Sequence, residues 1–181
     1  MKRSQVLALL LAVLGLLASN LRLQYRVTVN GAALPGTYSA AVLREGKRAA
    51  SEAAEEILRW EAKLPQTETR ARLSFRRAGN DTRALTSALL QGVSGVTRAD
   101  AVYVNGVRLG VVPDGETLCG RLREAIRERM PLTAVSGGIS GQLALRRVYT
   151  RADSSASYEE MLRLITGLAP VIYLDQSGKL A

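Results

Sequence analysis

Apolar residues fill one unbroken block near the N-terminus and then recur at shorter periods along the rest of the chain. After Lys2 and Arg3, an uncharged stretch from Ser4 to Asn20 has the apolar centre VLALLLAVLGLLA, Val6 to Ala18. Those 13 residues rise about 20 Å as a helix, short of the ~30 Å hydrocarbon core of a bilayer, which matches the apolar region of an export signal better than a spanning helix. The residues expected to carry this membrane or signal segment are Val6, Leu9, Leu10, Leu11, Val13, Leu14, Leu16 and Leu17. Cleavage near Ala18 or Ser19 would put a leucine at the −3 position, a poor match to the small-residue rule, so an uncleaved anchor is the open alternative. Asn20 stands where a lipoprotein would need its acylated cysteine.

Beyond Asn20 the pattern doubles. Tyr25 to Leu34 reads YRVTVNGAAL and Ala101 to Leu109 reads AVYVNGVRL, with Asn30-Gly31 and Asn105-Gly106 separated by 105 − 30 = 75 positions. Alternating apolar residues running into Asn-Gly predict a β-hairpin, because a type I′ turn requires positive φ at both central residues and these two tolerate it best. A helix follows each hairpin. Ala49, Ala53, Ile57, Trp60 and Leu64 recur at helical spacing in the first copy, and Leu118, Leu122, Ala125, Ile126 and Arg129 do so in the second; Pro65 and Pro131 close them. Leu73 to Arg77 (LSFRR) and Leu143 to Arg147 (LALRR) then predict a strand in each copy. Second helices are expected over Thr82 to Gln91 and Tyr158 to Thr166, the latter with a Ser157/Glu160 capping box, the stripe Met161, Leu164, Ile165 and Leu168, and Gly167 and Pro170 as stop signals. Val171 to Asp175 adds a strand that enters Gln176-Ser177-Gly178 like the start of a third hairpin.

The predicted fold class is α+β: an N-terminal hydrophobic helix over residues 1–20, then two related hairpin-helix-strand-helix modules over 21–99 and 100–181, with small antiparallel or mixed sheets. Either each module closes its own sheet, or the strand opening one module completes the sheet of the module before it. Both arrangements expose sheet edges.

Composition narrows the chemistry. The 181 residues include no histidine and one cysteine, which removes a Ser-His-Asp triad, a Cys-His pair, a His-containing zinc site and an internal disulfide. The excess of 25 basic over 16 acidic residues comes from 21 arginines and only four lysines. These are dispersed, alternate with Glu124 and Glu128 on one predicted helix, and are not interleaved with stacking aromatics, so no nucleic-acid partner is expected. Removal of Lys2 and Arg3 with a signal would leave 23 − 16 = +7.

Isolated candidates reduce to structural roles. Cys119 sits beside Leu118 and Leu122 and reads as a small core residue. Glu55-Glu56 and Glu159-Glu160 are adjacent on helices, where neighbours point about 100° apart and cannot converge on one substrate. Asp114, after Pro113, caps a helix. Gly137-Gly138-Ile139-Ser140-Gly141 lacks the Lys-Ser/Thr of a phosphate loop and reads as a flexible connector. Asn80 or Asp81 caps the helix at Thr82. No catalytic residue, metal or cofactor is expected.

The N-terminal segment together with Val102 to Val112, VYVNGVRLGVV, and the acidic-capped helix after it, resembles the extracellular non-catalytic N-terminal region of clostridial (Firmicutes) cell-wall proteins of the lysostaphin-like murein endopeptidase type. The similarity runs from about Tyr25 to Asp175. Those peptidases hold zinc with histidines and an aspartate, and no position here can take that role. The resemblance implies a wall-facing module without the peptidase domain. The expected function is therefore an exported or membrane-anchored, non-enzymatic cell-envelope protein acting as spacer or binding module, with peptidoglycan or another envelope protein as partner. The alternative is the N-terminal part of a peptidoglycan hydrolase separated from its catalytic domain.

Overall fold

The structure is a computed structural model that describes Gly15, residues 20–79 and residues 81–181. The eight segment residues named above, from Val6 to Leu17, and the candidate cap Asn80 lie outside the described residues. Among the described residues the fold is α+β, with four helices and three small antiparallel sheets, and no helix is long and apolar enough to cross a membrane. The chain divides into two compact units between Ser94 and Gly95.

In the first unit, β1 (Arg22–Val29) turns through Asn30-Gly31 into the short β2 (Ala32–Ala33). Asn30 (φ 48°) and Gly31 (φ 82°) both occupy the left-handed region that the two-residue turn demands. α1 (Ala40–Leu58), β3 (Thr67–Ser74) and α2 (Thr82–Gln91) follow, and the sheet order is β2-β1-β3. β3 pairs antiparallel with the whole of β1, from Arg22↔Ser74 to Val29↔Thr67. The third strand thus precedes most of LSFRR: TETRARLS is exposed along nearly its whole length, so it carries no apolar stripe to mark it.

α1 also presents a different face from the one the apolar spacing suggested. Leu43, Gly46, Ala50, Ala54 and Leu58 are buried, whereas Ala49, Ala53 and Ile57 are half-buried. The reason is steric. A Cβ on Gly46 would lie 2.6 Å from Leu85 Cδ2 of α2, so the small-residue row is where the two helices meet. Arg59 ends α1 in the left-handed region (φ 67°), its N–H donating to the Glu55 carbonyl, which leaves Trp60 outside the helix and exposed. Asp81 caps α2 by accepting from Ala84 N.

In the second unit, β4 (Val96–Val104) turns through Asn105 (φ 50°) and Gly106 (φ 82°) into β5 (Val107–Val112). α3 (Gly115–Glu128), β6 (Ser136–Ile139), β7 (Leu143–Arg151), α4 (Tyr158–Leu168) and β8 (Val171–Leu174) complete it. The sheet orders are β5-β4-β7 and β6-β8. The strands of each unit pair within that unit, and β4 lies entirely in the second, so the division falls five residues before the boundary placed at 99/100. Val102, Val104, Val112, Leu118, Leu122, Ile126, Met161 and Ile165 form the core under α3 and α4.

The glycine-rich connector is in strand over Gly137 to Ile139, as part of β6, which pairs with β8 from Ser136↔Leu174 to Ile139↔Val171. A Cβ on Gly137 would lie 2.7 Å from Ile126 Cγ2 and 2.9 Å from Tyr173 Cδ1, so glycine here permits a close approach rather than flexibility. β8 then doubles back: Asp175 Oδ1 accepts from Ser177 N and Lys179 N, and Leu174 bridges Leu180. In α4 only Met161 and Ile165 of the expected stripe are buried; Leu164 and Leu168 are exposed.

Candidate functional site

The turn residues do more than reverse the chain. Asn30 N donates to Gln66 O at 3.0 Å, and Asn105 N donates to Gln142 O at 2.9 Å. Each bond ties a hairpin tip to the residue just before the third strand of its sheet. Asn105 Oδ1 also accepts from Gln142 N at 2.9 Å, and a Cβ on Gly141 would lie 2.6 Å from that oxygen. The tips are exposed, but in each the asparagine N–H is engaged in closing its sheet.

The second unit buries one carboxylate among its described residues, and sequence reading passed over it. Asp100 on β4 faces Arg147 on β7 in register. Asp100 Oδ1 accepts from Arg147 Nε at 2.5 Å, and Oδ2 accepts from Gly115 N at 2.9 Å. The donor Gly115 is the first residue of α3, where helix N–H groups lack internal partners and the dipole favours negative charge. A Cβ on Gly115 would lie 3.1 Å from Oδ2 and 2.6 Å from Leu145 Cδ1, which explains the glycine. With both oxygens engaged, Asp100 is a latch between helix and sheet. The only advance signal was an acidic residue in an apolar strand. Its arginine partner requires the strand register, which the sequence does not contain.

Asp114 caps the same helix. Its carboxylate accepts from Thr117 Oγ1 at 2.6 Å and Thr117 N at 2.8 Å, and these bonds hold its pKa below the ordinary aspartate value. Asp175 is lowered in the same way, first by the Ser177 hydroxyl and then by the Lys179 N–H, and Asp153 first by its hydrogen bond from Arg151. Each folded pKa lies below its unfolded value. The associated stability is therefore complete above about pH 4 and is lost as pH falls through the folded values. Thermal unfolding between pH 7 and pH 3 should show Tm falling in the acid range. Asp114→Asn, which keeps the cap, should leave Tm at pH 7 nearly unchanged and flatten that fall; an unaltered slope would remove Asp114 from the explanation.

Neither glutamate pair converges, since Glu55, Glu56, Glu159 and Glu160 all lie exposed on helices. Cys119 is half-buried on α3 with a free thiol. Among the described residues no three His, Cys, Asp or Glu side chains gather as a metal-ligand group. A cavity of about 260 Å³ opens between α3 and α4, floored by Leu122, Ile126 and Leu162 and rimmed by Arg129, Glu159 and Arg163.

The strongest charged feature lies in the first unit. Directly paired residues of an antiparallel sheet share a face, as do alternate residues along a strand. The register Arg26↔Arg70 and Gln24↔Arg72 therefore puts Arg22, Arg26, Arg70 and Arg72 on one face of the β1–β3 ladder. All four are exposed, and Glu68 is the only acidic side chain on that face of the two strands. Among the described residues none of the four arginines forms an ion pair. Arg26 and Arg70 line a hollow of about 440 Å³ whose walls include Thr28, Ala33, Leu34, Gly36 and Thr37. Like charges directly opposite across strands weaken a sheet by some tenths of a kcal/mol. The arrangement suits an anionic partner, which would offset that repulsion.

Comparison with protein families, with curated proteins and with solved structures finds no match to this chain.

Proposed function

We propose that this chain is an exported or membrane-anchored, non-enzymatic protein of the cell envelope, and that its two α+β units act as a spacer or binding module. The observation that carries the reading is the order of segments: Lys2-Arg3, the apolar run Val6 to Ala18, and then, within four residues, the first strand of a compact unit at Arg22. That is how a targeting or anchoring segment joins the domain it delivers. The engagement of both Asp100 oxygens in structural bonds supports a binding role over carboxylate catalysis.

The units are also proposed to be a tandem duplication. Each has a three-stranded sheet with the hairpin at one side and the third strand against its first, in the orders β2-β1-β3 and β5-β4-β7. The matching bonds from Asn30 to Gln66 and from Asn105 to Gln142 support the same pairing of segments. On that pairing Thr67 corresponds to Leu143, and the likeness of LSFRR to LALRR is incidental.

The wall-binding form of the proposal is tested by sedimenting the full-length chain with isolated peptidoglycan at low salt. Recovery in the pellet is expected, and recovery entirely in the supernatant would reject peptidoglycan as the partner. The hydrolase alternative draws on the resemblance around Val102 to Val112 and requires a zinc peptidase encoded directly downstream; an unrelated downstream gene would reject it.

A further inference from the structure

We infer that the entry end of the first sheet docks on an anionic phospholipid bilayer, its arginines contacting lipid phosphates and an apolar tip entering the headgroup region. The inference rests on the proposed location at the membrane and assigns a surface to it.

The tip is made by side chains on the other face of the same ladder. Leu23 pairs with Leu73, and Leu21 and Phe75 flank the last pair, Arg22↔Ser74. Further along this face Val27 and Val29 are buried, but at the entry end the side chains are uncovered: Leu21 is 36%, Leu23 53%, Leu73 61% and Phe75 62% exposed. Four large apolar side chains gathered at one end of a small sheet form a patch that an isolated surface residue would not.

This end is also held in shape. Gln24, buried on the arginine face, donates from Nε2 to the Arg76 carbonyl and accepts at Oε1 from Thr37 Oγ1 at 2.7 Å, while Arg76 N donates to Ser74 Oγ at 3.1 Å. The turn carrying Phe75, Arg76 and Arg77 is thus fastened to β1, and the ordering cost of presenting the tip is met in folding.

Two features select a bilayer over a soluble polyanion. A polar wall polymer or a nucleic acid could neutralise the arginines, but the leucines and phenylalanine would gain nothing from it. The tip also lies close to the apolar run by covalent connection, because only Ser19 and Asn20 separate Ala18 from Leu21. Three Cα steps span at most about 11 Å. If the run enters a bilayer, Leu21 must lie at or near its surface. Apolar side chains at that depth bordered by arginines reaching phosphates are the arrangement of interfacial binding. The hollow between Arg26 and Arg70 is large enough for a phosphate headgroup.

The test uses the full-length chain with Trp60→Phe and Phe75→Trp, reconstituted in vesicles of phosphatidylcholine alone or with phosphatidylglycerol. The new indole should emit at shorter wavelength in the anionic vesicles than in the neutral ones. Each surface arginine contributes about fivefold to binding near an anionic membrane. Combining Arg22→Gln, Arg26→Gln, Arg70→Gln and Arg72→Gln should therefore raise the anionic lipid needed for the shift by roughly 600-fold. Its melting temperature should equal or exceed that of the parent, because the cross-strand repulsion is relieved. Leu73→Ser, at an exposed site, should reduce the shift with all arginines retained. Identical emission in the two vesicle types would overturn the inference, as would an equal shift induced by soluble polyphosphate without vesicles. Flotation with neutral vesicles reports the apolar segment separately: its failure alongside a shift in anionic lipid would reject the anchor and retain the docking surface.

Discussion

Truncating Leu85 to alanine is expected to destabilise the first unit by about 2–5 kcal/mol, the range for a leucine removed from a packed core. Leu85 is fully buried on α2 and fills the space that Gly46 leaves open on α1. Helices joined across a glycine have little slack: Gly46, which faces the leucine, has no side chain to extend into the cavity it leaves. In a unit of this size the loss corresponds to a fall in Tm of roughly 8 °C or more. Gly46→Val tests the same contact from the other side, since its Cβ would start 2.6 Å from Leu85 Cδ2. Overpacking of this kind costs about 1–3 kcal/mol. Combined with Leu85→Ala, Gly46→Val should cost less than the sum of the two single changes, because the added methyls enter the space vacated. Strict additivity by chemical denaturation would show that the helices do not meet there.

The second large effect is expected at Asp100. Asp100→Ala should cost about 1–3 kcal/mol, because it leaves the buried Gly115 N–H without its acceptor at the start of α3. Arg147→Gln should cost less than about 1 kcal/mol, since the guanidinium side of this pair is half-exposed and water can take the guanidinium's place at Asp100 Oδ1. That asymmetry distinguishes a helix latch from an ordinary salt bridge. Urea unfolding of both variants measures it, and equal losses would assign the stability to the ion pair instead.

What the sequence made legible were features whose cause is local. Asn-Gly at positions 30–31 and 105–106 needs only its own backbone preference, and Asp81, Asp114 and Ser157 cap their helices through bonds to residues three positions ahead. Features that depend on a partner elsewhere in the chain stayed hidden. Nothing in TETRARLS marks a strand until it pairs with β1, and the connector from Gly137 reads as flexible until Ile126 and Tyr173 are seen to approach Gly137 closely. The apolar face of α1 shifted because small residues, not large ones, define where α2 approaches.

The candidate site follows the same division. Arg70 and Arg72 stand at alternate positions in the sequence, as do Leu73 and Phe75, so a strand would place each pair on one side. Only the register with Arg22, Leu23 and Arg26 converts them into an arginine face and an apolar tip on one sheet. Dispersed along the chain, those arginines looked like solvated surface. Brought together, four of them share one face with a single acidic neighbour.

Location is the claim on which the rest depends. Cell fractionation combined with N-terminal sequencing of the purified native protein addresses it most directly. The expected result is recovery in the membrane or extracytoplasmic fraction, with digestion by protease added to intact cells, and either an uncleaved N-terminus in the membrane or a mature start after the apolar run. Recovery in the cytosol with residues 1–20 intact and full protection from external protease would contradict it.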